Sequence, residues 1–157
     1  MMKRNKILFE ELEQWADDLF REKASMLHKL QCICKLLKDE VAHYDWVGFY
    51  LVDKVNPKEL ILGSFEGVPT EHTRIPFGQG ICGQVAEEEK SRIVQDVAQE
   101  DNYLSCSIDV KSEIVVPIFK NEKFIGEIDI DSYEIAPFTD EDKNFLKKVA
   151  NMVSELL

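Results

Sequence analysis

No run of apolar residues in this chain approaches the ~20 needed to cross a bilayer as a helix, so a helical membrane protein is excluded. Cysteine is sparse and unpatterned. Cys32, Cys34, Cys82 and Cys106 are too few for a disulfide framework in 157 residues, and no Cys-x-x-Cys occurs. Histidine is sparser still. His28, His43 and His72 are scattered, so the spacing spells no zinc site, and neither a metal nor a cofactor is expected. Bases are outnumbered, 19 Lys+Arg against 30 Asp+Glu; the net charge of −11 repels phosphates and argues against nucleic acid. There is no internal repeat and no low-complexity linker. The start is basic, but no apolar core and cleavage site follow it, so the cytoplasm is the expected compartment.

What is present is an ordinary globular composition, 45% hydrophobic and 31% charged, in a length that suits one domain over 1–157. Helical spacing in 1–43 predicts two helices. Ile7, Leu8, Leu12, Trp15 and Leu19 mark the first. Met26, Leu27, Leu30, Ile33, Leu37 and Val41 mark the second, from about Ala24 to His43. Cys32 and Cys34, two residues apart, point to nearly opposite sides of that helix and cannot bond each other.

Between 45 and 135 the pattern turns to strands. Trp46–Val52 and Glu59–Phe65 flank the turn Asn56-Pro57-Lys58 as a hairpin. Arg92–Val94 is a short strand, and Ser112–Phe119 and Phe124–Ser132 form a second hairpin. In 139–157, Thr139 precedes Asp140, Glu141 and Asp142 and then Phe145, Leu146, Val149, Val153 and Leu156, the pattern of a capped, amphipathic helix. The expected fold is α+β, a central antiparallel sheet with N-terminal and C-terminal helices packed on it.

Arg74 to Ala86 reads as a glycine-rich loop entering a short helix. Gly78, Gly80 and Gly83 repeat the Gly-x-Gly-x-x-Gly spacing of dinucleotide sites, but Pro76 precedes it and no parallel βαβ unit follows, so that reading is rejected. The chemistry concentrates elsewhere. Cys106 lies in a polar stretch, and Glu113 falls on the apolar strand just beyond it. Asp129 and Asp131 sit at i and i+2 of the next strand and share one face, which is either a solvated face or a site. A thiol near three clustered acids points to a redox or nucleophilic pocket. Trp46 and Tyr50, at i and i+4 of the first strand, also share a face, as core or as a pocket wall.

Four stretches carry a resemblance to a known family: Asp45-Trp46-Val47-Gly48-Phe49-Tyr50; Thr73-Arg74-Ile75-Pro76 through Gly80-Ile81-Cys82-Gly83; Cys106 to Pro117; and Gly126 to Ser132, with the Phe138–Asp142 helix start. Together they resemble the GAF domain, and more narrowly the free methionine-(R)-sulfoxide reductases, small single-domain GAF enzymes. The resemblance implies that Cys106 attacks the sulfoxide and that Cys82 resolves the resulting sulfenic acid. A third family cysteine would fall at His72, and the residue after the attacking cysteine, commonly an acid, is Ser107. The implied reaction is thiol-dependent reduction of free L-methionine-(R)-sulfoxide through a sulfenic acid and an intramolecular disulfide. A thioredoxin-like reductant and a homodimer are the implied partners.

In that setting a thiolate supplies the nucleophile, and a protonated acid among Glu113, Asp129 and Asp131 supplies the proton for the departing oxygen. The remaining acids hold the substrate ammonium, while Trp46 and Tyr50 wall its thioether. His72 is expected in a surface loop. The competing expectation is a GAF module that binds a small ligand without chemistry.

Overall fold

Apolar spacing and capping residues set the helix boundaries in the computed structural model, which describes residues 2–104 and 107–157. The first helix, α1, spans Met2–Arg21, and its buried stripe runs through Phe9, Leu12 and Ala16. Trp15, expected on that stripe, is 48% exposed instead. It lies one residue, ~100° around the helix, from the buried Ala16. The second helix, α2, spans Met26–Glu40 rather than Ala24–His43. Ser25 caps it, accepting the His28 N–H, and Val41 is already extended. Leu30, Ile33, Cys34 and Leu37 are buried, whereas Met26 and Leu27 in the first turn are exposed. Cys34 donates to Ser64 O inside the core, while Cys32 lies outside it, 3.4 Å from His28 Nε2. Among the described residues no helix is long and apolar enough to cross a membrane.

The strands are β1 (Trp46–Val52), β2 (Glu59–Glu66), β3 (Arg74–Pro76), β4 (Arg92–Val94), β5 (Ser112–Lys120) and β6 (Lys123–Ser132). A short helix, α3 (Gly80–Glu88), follows β3, and a 3₁₀ turn, Val97–Gln99, follows β4. The strands form one sheet in the order β3-β2-β1-β6-β5-β4, with every pairing antiparallel. Arg74–Pro76, expected within a loop, pairs with β2 as an edge strand, where proline is tolerated.

Alternation along the central strands separates two apolar layers. Val47 and Phe49 of β1, Ile114, Val116 and Ile118 of β5, and Ile128 and Ile130 of β6 join α1, α2 and α4 (Asp140–Leu156) in the larger core. Each such side chain contributes about 1.5–3 kcal/mol by burial. The opposite face carries Trp46, Tyr50 and Val115 and is covered by α3, through Ile81, Cys82, Val85 and Ala86. The fold is the expected α+β domain, with a helix on the second face as well.

One polar cluster ties the ends of this scaffold together. The Asp142 side chain is fully buried, accepts the Thr139 N–H at 2.8 Å and the Tyr44 O–H at 2.8 Å, and lies 2.7 Å from His43 Nε2. Burial alone would raise its pKa, but these partners outweigh that and hold it below the ordinary 3.8. A lowered folded-state pKa means stability that is complete above pH 3.8 and lost as pH falls through the lowered value. Asp142→Ala is therefore expected to cost about 3 kcal/mol at pH 7 in urea denaturation, through the orphaned Tyr44, His43 and helix start. The gap between variant and wild type should narrow as pH drops below the lowered carboxyl value; a constant gap would contradict this assignment.

Candidate active site

Antiparallel register turns three strands into a row of acids. Glu113 on β5 faces Asp131 on β6, which in turn faces Trp46 on β1. One step along, Val115, Asp129 and Gly48 align, and beyond them Pro117, Glu127 and Tyr50. Because Ile128 and Ile130 commit the other side of β6 to the helical core, Glu127, Asp129 and Asp131 must all point to the α3 side. That face is not solvated: Glu113, Glu127, Asp129 and Asp131 are all buried.

The glycine-rich turn brings the thiol to this face. Gly80 opens α3 at φ +64°, and a side chain there would place its Cβ 2.9 Å from Leu104 Cγ. Its N–H donates to Asn102 Oδ1 at 3.0 Å, while Asn102 Nδ2 donates to Gly78 O at 2.9 Å, pinning the segment after β4 against the helix start. Cys82, in the first turn of α3, then donates its S–H to Glu113 Oε1 at 3.7 Å. Cys82 Sγ, a Glu113 oxygen and an Asp129 oxygen all lie within 4.8 Å of one another. With Tyr50, His72, Gly80 and Leu104 these three line a cavity of ≈ 10 Å³. Tyr50 donates its O–H to His72 O at 2.7 Å, fixing the loop at the cavity wall.

The electrostatics follow from burial, with no Lys or Arg among the described residues lining the cavity. Burial, then the charges of Asp129, Glu127 and Glu113, push the Cys82 thiol well above its ordinary 9.0. Burial likewise pushes Glu127 well above 4.5, with Asp129 adding to the rise and the Cys82 thiol offsetting part of it. Asp129 is raised from 3.8 by burial against the lowering contacts of Glu113 and Cys82. Burial therefore shifts all three groups toward their protonated forms.

Glu113, Asp129, Cys82 and Tyr50 meet at the cavity. Asp131 lies on the same face one row further along, and the Trp46 ring is set back from the cavity. That ring covers Gly48, where an added Cβ would fall 2.3 Å from Trp46 Cη2, and it stacks on Phe65 at 5.6 Å while its N–H donates to Val68 O. Cys106 lies outside the described residues, between Leu104 and Ser107. Glu127 was not singled out in the sequence, although its i−2 spacing from Asp129 was the available signal. His72 does lie in a loop, yet it is half-buried and lines the cavity.

Comparison with known proteins agrees with this architecture. The GAF domain model matches residues 26–157. The chain is 35% identical to GAF domain-containing protein A of Dictyostelium discoideum, over 92% of this chain and 89% of that protein. It is 32% identical to the free methionine-R-sulfoxide reductase of Escherichia coli, over 88% of this chain and 82% of that one. Among solved structures, the free methionine-R-sulfoxide reductase of Neisseria meningitidis in complex with its substrate superposes with a TM-score of 0.90 at 33% identity, covering 96% of this chain and 89% of that one. Sheet order, helix placement and sequence thus converge, and the chain belongs to the GAF domain family.

Proposed function

We propose that this protein reduces free L-methionine-(R)-sulfoxide to L-methionine on the acid-lined face of its sheet. The observation that carries the reading is the buried meeting of the Cys82 thiol with Glu113 and Asp129, in a chain similar to reductases of that name. A buried set of acids needs a positive partner. Among the described residues no Lys or Arg lines this cavity. The ammonium group of a free amino acid supplies that charge, and in a peptide the same nitrogen is a neutral amide. Glu113, Asp129 and Asp131 are the residues assigned to it, with Tyr50 as the wall and the Trp46 ring stacked behind it.

Cys106 is the attacking thiol in this scheme, on the sequence motif that it opens. Its thiolate attacks the sulfoxide sulfur while a raised carboxyl protonates the sulfoxide oxygen; the substrate S–O bond then breaks as the oxygen passes to Cys106, leaving a sulfenic acid, free methionine and a carboxylate. Glu127 joins the acids as a candidate donor because it too is fully buried and burial pushes its carboxyl well above 4.5. The Cys82 thiol then condenses with the sulfenic acid, releasing water and closing a disulfide. A thioredoxin-like dithiol restores both thiols by exchange, which suits a reducing compartment such as the cytoplasm. Trp15, Met26 and Leu27 leave apolar surface on α1 and α2 that a homodimer would cover.

Methionine sulfoxide is larger than the ≈ 10 Å³ cavity, so Leu104 and Gly80 must part to admit it. Gly80→Ala strains a φ of +64° and crowds Leu104, and it should lower turnover with little change in the chemistry of a bound substrate. The check is steady-state against single-turnover kinetics; equal losses in both would contradict a packing role.

Cysteine variants separate the two thiols. Cys106→Ser is expected to abolish methionine release. Cys82→Ser should release about one methionine per chain and then stall with thioredoxin as reductant. Full multiple turnover by Cys106→Ser would overturn the assignment. Glu113→Gln and Asp129→Asn should each lower kcat/KM by about 10- to 100-fold, the loss of one charge-assisted contact. A non-catalytic ligand-binding module would show no turnover in any variant, wild type included.

A further inference from the structure

The three groups that meet in the cavity are also a ligand set. We propose that Cys82, Glu113 and Asp129 form a binding site for one zinc-class divalent cation, which occupies the site when substrate is absent. Sequence spacing concealed it, because the donors come from α3, β5 and β6 and no metal motif is written in any one stretch.

The geometry fits. Cys82 Sγ stands 3.7 Å from Glu113 Oε1. A tetrahedral zinc with bonds of about 2.3 Å to sulfur and about 2.0 Å to oxygen separates two such ligands by about 3.5 Å. All three donor atoms lie within 4.8 Å of one another, so small rotations bring them to one centre. Asp129 gives the independent indication. It is 1% exposed, it lines this cavity, and its Oδ1 accepts no hydrogen bond among the described residues. Such an oxygen is costly to leave unmatched. The cavity of ≈ 10 Å³ is the size of a single ion or water, not of an extended ligand.

The donor chemistry narrows the ion. One thiolate with two carboxylates suits a borderline-soft cation; magnesium and calcium prefer six or more oxygens. A fourth position is left for water, as in zinc sites with three protein ligands. On binding, Cys82 loses its thiol proton to solvent and forms a sulfur–metal bond, and any protonated carboxyl among the ligands releases its proton too. Nothing is oxidised or reduced. The bound ion takes the place of the substrate ammonium and withholds Cys82 from disulfide formation.

Metal binding itself does not rest on the reductase reading, since it is measured without turnover; its exchange with the substrate ammonium does. The test uses tag-free, full-length protein, reduced and freed of metal, titrated with zinc by equilibrium dialysis and with cadmium by absorbance. The expected result is one ion per chain and a thiolate-to-cadmium charge-transfer band. Cys82→Ser should lose the band, and Asp129→Asn should weaken zinc binding by about tenfold or more. Cys32→Ser and Cys106→Ser should keep it; Cys32 is the control because His28 Nε2 lies 3.4 Å from its sulfur on the α2 surface. If Cys82→Ser fails to fold by circular dichroism, slowed alkylation of Cys82 in zinc-loaded wild type, located by mass spectrometry, decides instead. Absence of binding, a band that survives in Cys82→Ser, or one that vanishes in Cys32→Ser overturns the site. Turnover without binding removes the metal site alone; binding without turnover removes the reductase alone.

Discussion

The register of β5 against β6 is the constraint on which the site depends. With Glu113 opposite Asp131 and Val115 opposite Asp129, the acids share one face, and the isoleucines between them share the other. A slip of one residue would turn the acids into the helical core and the isoleucines toward α3. The large buried layer of Ile114, Val116, Ile118, Ile128 and Ile130 against the helices forbids that slip. The apolar core therefore does more than stabilise. It compels the acids to occupy a buried face they would not choose alone.

That compulsion explains the electrochemistry of the site. Carboxyls held out of water and near one another are shifted toward their protonated forms, and a thiol among them likewise. A cation entering such a pocket lowers the cost for every group in it. Substrate ammonium and a metal ion are two answers to the same buried carboxyl cluster, and both would shift Cys82 toward its thiolate.

Much of this was legible in the sequence. The hairpins, the closing helix and the alternation Glu127-Ile128-Asp129-Ile130-Asp131 follow from period-two and period-3.6 patterns. Asp142 was readable as a first-turn acid of α4, but not as the partner of Tyr44 and His43, which are nearly a hundred residues away. The edge strand Arg74–Pro76 was hidden by its three-residue length and its proline. Trp15 and Leu27 looked like core because helical spacing ranks residues by type, and only the partner face decides which part of an apolar stripe is covered. His72 at the cavity wall depends on the Tyr50 hydrogen bond to its carbonyl, a contact across 22 residues that no local pattern encodes.

The central claim is that buried acids select a free amino acid through its ammonium group. The most direct measurement compares reduction of free L-methionine-(R)-sulfoxide with that of its N-acetyl derivative, which keeps the sulfoxide and removes the charge. The account predicts turnover of the free amino acid and a loss of about 100-fold or more for the acetylated one. Equal rates on the two would contradict it, because the acids would then have no part in recognition.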